Sequence, residues 1–171
     1  KISAALNQNL PNDIVILKSE EVSEEFHSQY DAKTKTYLYY LHNSKIRDIF
    51  KDKYCWRVPY KLNINCMKKE AKVLLGEHDF KAFQATRKIE KNSIRTIISI
   101  KITKNKDIVV FEISGNGFLY NMVRNIVGTL VDFGRGYFAP SEMKKILSGK
   151  DRKKSGPTAP AKGLFLEKII Y

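Results

Sequence analysis

The stretch GNGFLYNMVRNIVGTLVDFGRG, residues 115–136, decides the fold class. From Phe118 to Phe133 its apolar residues Leu119, Met122, Val123, Ile126, Val127 and Leu130 recur at three- and four-residue steps, drawing one wide stripe along a helix. A stripe of that width needs a broad apolar cover, so the helix is expected to pack on a sheet. Strand signals stand where such a sheet requires them. Upstream, Arg95–Lys101 and Ile108–Ile113 flank Lys104-Asn105-Lys106-Asp107, which reads as a hairpin. Further out, Lys33–Leu41 is extended, with Tyr37, Tyr39 and Leu41 on one face and Leu38 and Tyr40 on the other. Ile14–Leu17 carries a short strand signal, and Leu164–Tyr171 ends the chain as an apolar strand. Helices are expected over Ile2–Leu10, over Asn63–Leu75 with a stop at Gly76, and over Ser141–Leu147 behind a capping-type Ser141. This mixture of helices, strands and a β-hairpin gives an α+β fold, with helices packed on a mixed, largely antiparallel sheet.

Composition narrows the function. The chain has 171 residues, 43% of them hydrophobic, enough to bury a core of its own. Its 31 Lys and Arg against 18 Asp and Glu give a net charge of +13, which favours a polyanionic partner, nucleic acid first. A lysine-rich surface that serves only solubility explains the charge as well. Cys55 and Cys66 stand apart from any spacing that holds zinc or frames a disulfide, so no metal site is expected and a reducing, cytoplasmic setting fits. No apolar run nears the roughly 20 residues of a membrane span. The opening residues read as the tail of a helix running into a strand, as expected of a truncated chain.

Four stretches, taken together, carry a family resemblance: FHSQYDAKTKTYLYY (26–40), LLGEHDFKAF (74–83), the 115–136 stretch, and KDRKKSGPTAPAKGLFLEKIIY (150–171). In this order and at this spacing the chain resembles the C-terminal portion of the TruA family of tRNA pseudouridine synthases. The resemblance implies an incomplete pseudouridine synthase-like fold, with residues 1–45 a remnant of the N-terminal lobe and central sheet, and 46–171 the C-terminal lobe. It implies isomerisation of uridine to pseudouridine in the anticodon stem-loop of tRNA, without a cofactor, in a cytoplasmic homodimer. The family's nucleophile is the Asp of a GRTDAGVHA-type loop. No Asp here follows Gly-Arg-Thr, so the catalytic Asp is expected outside this chain and the chain alone is expected to be inactive. The alternative is a non-catalytic module that binds structured RNA through the same basic surface.

The reaction cuts an N-glycosidic bond, turns the base and rejoins it through carbon, which requires a carboxylate, groups that hold the loose uracil, and room for an unstacked nucleotide. By resemblance Tyr37 stacks on that base and assists proton transfer at its carbon 5, whereas Tyr39 and Tyr40 serve packing. Arg124 pairs with the catalytic Asp; helix geometry sets it off the centre of the stripe, where a guanidinium can fix a carboxylate through two parallel hydrogen bonds. Leu164 packs beside the base. Each residue also has a plainer reading, as a strand tyrosine, a solvated arginine and the first apolar residue of a core strand. For RNA contact the resemblance points to Phe26, His27, Ser28, Gln29 and Tyr30 and to the loop residues Arg87, Lys88 and Lys91. Gln29 stands where relatives commonly carry Arg, and Lys33 and Lys35 compensate, or simply protect a strand edge. Gly115-Asn116-Gly117 either aims backbone amides at a phosphate or makes a tight turn.

Overall fold

The computed structural model describes residues 2–85 and 92–171, which fall into two compact units, Lys1–Asp31 and Ala32–Tyr171. In the smaller unit the first helix, α1, covers Ile2–Asn7. The strand expected at Ile14–Leu17 does not form. Asn7 takes both backbone groups of Ile16, its Oδ1 accepting from the amide at 2.7 Å and its Nδ2 donating to the carbonyl at 2.9 Å. A side chain has replaced the sheet ladder, as Asn does readily near chain reversals.

The described residues of the larger unit form six strands and three α-helices. In chain order these are β1 (Thr34–His42), β2 (Trp56–Arg57), α2 (Ile64–Ala71), β3 (Gly76–Asp79), β4 (Ile94–Asn105), β5 (Ile108–Gly115), α3 (Met122–Gly134), α4 (Met143–Gly149) and β6 (Leu164–Ile170). The sheet runs β2-β1-β5-β4-β3, and β6 pairs with the same edge of β1 that β2 extends. Among the described residues only the β1–β2 pair is parallel, so the expected mixed, mainly antiparallel α+β arrangement is the one observed. The β4–β5 hairpin is tighter than expected: Asn105 pairs with Ile108, and Lys106 turns the corner at φ 51°.

The stripe of α3 packs with Tyr39, Leu41, Phe111 and Ile113 from the middle of the sheet, all fully buried. From Met122 to Gly134 every residue of α3 is buried except Arg124. The second cover is the loop between α4 and β6, which crosses the helix so closely that a Cβ on Gly128 would lie 1.8 Å from the Pro157 carbonyl oxygen, and one on Gly156 2.6 Å from Thr129 Cα. A glycine inside a helix costs about 1 kcal/mol against alanine. Here it makes the crossing possible.

Two helix starts differ from expectation. Met122 rather than Phe118 opens α3, because Asn121 adopts the left-handed conformation at φ 60°. Asn tolerates that conformation better than most residues. Met143 opens α4, and Ser141 is no cap, lying at φ 73°. The cap comes instead from the buried Glu70 of α2, whose carboxylate accepts from the Ser141 amide at 2.7 Å and the Met143 amide at 3.3 Å. Negative charge there also suits the helix dipole.

Candidate active site

Tyr37 lies on β1 between Ile113 of β5 and Leu166 of β6. Leu164 pairs with Tyr39, which makes it the diagonal neighbour of Tyr37 on the same face, at the roughly 7–8 Å typical of such pairs. The Tyr37 ring meets Phe118 edge-on, with centroids 5.3 Å apart. All three rings and chains are half-buried against the core, so one face of each is turned away from it. Burial raises the Tyr37 phenol above its ordinary value, which keeps it a neutral hydrogen-bond donor at physiological pH.

Arg124 leaves the otherwise buried α3 with its guanidinium anchored at two points. Nε donates to the Ala159 carbonyl at 2.6 Å and Nη1 to Asn121 Oδ1 at 3.0 Å. The Ala159 amide donates back to the Arg124 carbonyl at 3.2 Å, so helix and loop hold each other. Of the five guanidinium N–H groups these contacts use two, leaving Nη2 and the second Nη1 hydrogen without a partner among the described residues. Because Nε is committed, a carboxylate has to approach the Nη edge. That refines the expected pair of parallel bonds to an end-on one.

Next along the loop, Pro160 offers its carbonyl to the hydroxyl of buried Tyr39 at 2.7 Å. Burial pushes the Tyr39 phenol well above its usual value, with the Arg124 charge pulling more weakly the other way. Gly163 then passes against Tyr39 and Tyr40, where a Cβ would lie 2.7 Å from the Tyr40 carbonyl oxygen, and delivers the chain into β6 at Leu164. Arg124, the Ala159–Pro160 pair, Leu164 and the β1 tyrosines are therefore linked by successive contacts along one loop. Tyr37 and Arg124 share no hydrogen bond among the described residues; Phe118 and Asn121, three residues apart, touch one each.

Phe118, Asn121 and Arg152 are contributors that the sequence did not single out. Arg152 clamps the loop from within: Nη1 reaches Ser155 Oγ at 2.7 Å and the Gly156 carbonyl at 2.8 Å, while Nη2 reaches Asn125 Oδ1 and Thr158 Oγ1, both at 3.0 Å. Burial lowers its pKa from the usual arginine value. The signal for Asn121 was its position three residues before Arg124; nothing local marked Arg152.

The candidate RNA contacts are distributed more widely. Phe26–Tyr30, in the smaller unit, makes a turn centred on His27, whose Nδ1 accepts from the Gln29 and Tyr30 amides at 3.2 and 3.3 Å. His27 and Tyr30 rings lie 4.2 Å apart, and His27, Ser28, Gln29 and Tyr30 are exposed. In the larger unit the exposed Lys33 donates its amide to Ile170, and Lys35 pairs with Gly115 and Ile169. Arg87, Lys88 and Lys91 lie outside the described residues. Gly115 serves close packing: its Cβ would meet the Thr96 carbonyl oxygen at 2.7 Å, and Asn116 exchanges hydrogen bonds with Thr96. Four residues separate Gly117 from the first residue of α3, so these amides do not form its N-terminus.

No described helix is long and apolar enough to cross a membrane. A family model described as tRNA pseudouridine synthase matches residues 71–171. The tRNA pseudouridine synthase A of Thermoanaerobacter sp. (strain X514) is 48% identical over 171 residues, all of this chain and 70% of that protein. The proteins of the same name from Clostridium acetobutylicum and Bacillus licheniformis are 45% and 42% identical, covering 100% and 98% of this chain and 70% and 68% of their own lengths. With more than half of its length matched by the family model and all of it by a relative, the chain belongs to the tRNA pseudouridine synthase family.

Proposed function

We propose that this chain supplies the base-holding side of an active site that isomerises uridine to pseudouridine in the anticodon stem-loop of tRNA. The observation that carries the reading is Arg124, the one α3 residue that is not buried, anchored at Nε and Nη1 with its remaining donors unpartnered among the described residues. In this reading the Nη edge of Arg124 holds the nucleophilic carboxylate ionised and oriented. Tyr37 stacks on the extruded uracil and its neutral hydroxyl assists proton transfer at carbon 5, while Leu164 excludes water beside the base. The detached uracil rejoins the same ribose, with the C1′–N1 bond exchanged for C1′–C5 and a proton moved from carbon 5 to nitrogen, so no external group or electron carrier enters the balance.

The carboxylate belongs to a Gly-Arg-Thr-Asp loop that this sequence does not contain. Phe26–Tyr30, Lys33, Lys35 and the loop with Arg87, Lys88 and Lys91 grip the tRNA, and two subunits share one substrate. Rejoining the base through carbon 5 expels the hydrogen from that carbon, so tritium release from tRNA labelled at uridine carbon 5 measures turnover. The chain alone is expected to bind tRNA transcripts and release no tritium. Turnover by the chain alone refutes the external carboxylate, and absence of tRNA binding refutes the reading as a whole.

A further inference from the structure

At the other end of α3, about 16 Å from Arg124 at 1.5 Å per residue, the helix closes in a way that displays aromatic rings around a cation. The Tyr137 amide donates to the Asp132 carbonyl at 2.9 Å and the Gly136 amide to that of Phe133 at 3.1 Å, with Gly136 left-handed at φ 79°. This is a Schellman ending, whose outer residue commonly folds back onto the helix. Tyr137 does not; it is 69% exposed, and Phe138 takes the apolar contact instead, with its ring 5.2 Å from Phe133.

Between the ring of Tyr137 and that of Tyr60, itself 57% exposed, stands Arg135, its guanidinium carbon 5.2 and 5.9 Å from their centroids. Buried Asp132 fixes the same guanidinium through Nε at 2.9 Å. The rings are therefore held in place without being covered. On the other side of Tyr137 opens a groove of about 470 Å³ lined by Lys145, Lys153 and Lys154. None of these three ammonium groups has a carboxylate partner among the described residues. Glu142 lines the groove too, but its carboxylate accepts from the Ala139 amide.

We propose that Tyr60, Arg135 and Tyr137, with the three groove lysines, form a second RNA-contacting surface: an unpaired nucleotide stacks on Tyr137 and the adjoining phosphates fall on Lys145, Lys153 and Lys154. Stacking rings beside an arginine and a row of unpaired cations is the chemistry that grips single-stranded nucleic acid. Protein interfaces favour tyrosine and arginine as well but are depleted in lysine, which decides between the two partners. The inference rests on the RNA reading above and adds to it a place, separated from the base-holding site by the length of α3, where a further part of the substrate is held in register.

The test uses the whole chain and two probes, a fluorescein-labelled single-stranded oligouridylate and a tRNA transcript, titrated over a salt series. Tyr137→Ala should weaken oligouridylate binding at least about fivefold with an unchanged salt slope, and Tyr137→Phe should restore it. The double variant K153Q/K154Q should lower the slope of log K against log salt by about 1.4, the loss of two phosphate contacts to a single strand. If wild type binds the tRNA transcript and all three variants match it on both probes, this surface is refuted and the RNA reading stands. If wild type binds neither probe, both fall. Loss of self-association in Tyr137→Ala by sedimentation, with RNA binding intact, makes the face a protein interface and also overturns the proposal.

Discussion

Gly128→Ala sets two physical effects of opposite sign against each other. Helix propensity alone favours alanine by about 1 kcal/mol at a position inside a helix. The added Cβ, however, lies 1.8 Å from the Pro157 carbonyl oxygen and 2.9 Å from its carbon. Both obstacles are backbone, so no flexible side-chain end can swing aside. The loop has to retreat by roughly 1.2 Å to reach even 3.0 Å, the shortest approach real Cβ atoms show. That retreat strains the Gly156 amide to Thr129 Oγ1 bond at 2.9 Å and the two bonds joining Ala159 to Arg124 at 3.2 and 2.6 Å. Overpacking costs about 1–3 kcal/mol and each internal hydrogen bond about 1 kcal/mol, so the net effect is destabilisation by about 2–4 kcal/mol. For a chain of this length that lowers the midpoint of thermal unfolding by roughly 5–15 °C. Urea unfolding followed by far-ultraviolet circular dichroism measures it directly. Gly149→Ala is the control, because nothing lies within 4 Å of its Cβ and its φ is not positive; it should be close to neutral. A Gly128→Ala chain as stable as wild type, or more stable, refutes the close crossing and the site geometry that depends on it.

Two other perturbations test neighbouring parts of the same reasoning. Arg152→Lys replaces a planar fork that makes four hydrogen bonds with an ammonium that has three donors, and should cost about 2 kcal/mol or more in urea unfolding; a change below about 0.5 kcal/mol refutes the clamp. Burial raises the Asp132 carboxyl above its ordinary value, with Arg135 pulling the other way. A raised carboxyl contributes stability that is fully present below the unfolded value near about 3.9 and is lost as pH rises through the folded one. Asp132→Asn should therefore flatten the fall in unfolding free energy as pH rises above 4, and a variant whose pH profile runs parallel to wild type refutes that assignment.

Much of this arrangement was readable in the sequence because it was periodic. The stripe from Leu119 to Leu130, the alternation in Lys33–Leu41 and the turn before Ile108 each express a local period that burial then confirms in the sheet and α3. What escaped was long-range substitution of one partner for another. Ser141 reads as a cap because Ser usually is one, yet Glu70, seventy-one residues earlier, does the capping. Ile14–Leu17 reads as a strand, yet an amide side chain on α1 satisfies Ile16 first. A glycine in the middle of the most apolar helix was the overlooked signal. Gly128 announces a close backbone crossing, and with it that the Gly- and Pro-containing stretch 150–163 is a structural cover rather than a free loop.

The same crossing gives Arg124 its meaning. A helix covered by sheet on one face needs only a stripe of apolar residues; α3 is buried on all sides, so an arginine in it has to be led out along a defined path. Asn121 in its left-handed turn and Ala159 on the crossing loop provide that path, one contact before the helix and one across it. Tyr39 pins the next residue of the loop, and Gly163 lets the chain turn tightly over Tyr39 to set Leu164 on the face of Tyr37. Arg124 and Leu164, the groups proposed to meet the uracil, are thus set in place by residues outside that proposed contact. Losing Gly128 or Arg152 would move Ala159, and through it the guanidinium, although neither residue bonds the Arg124 side chain. The precision of the candidate site resides in the packing of loop 150–163 on α3 as much as in the reactive side chains themselves.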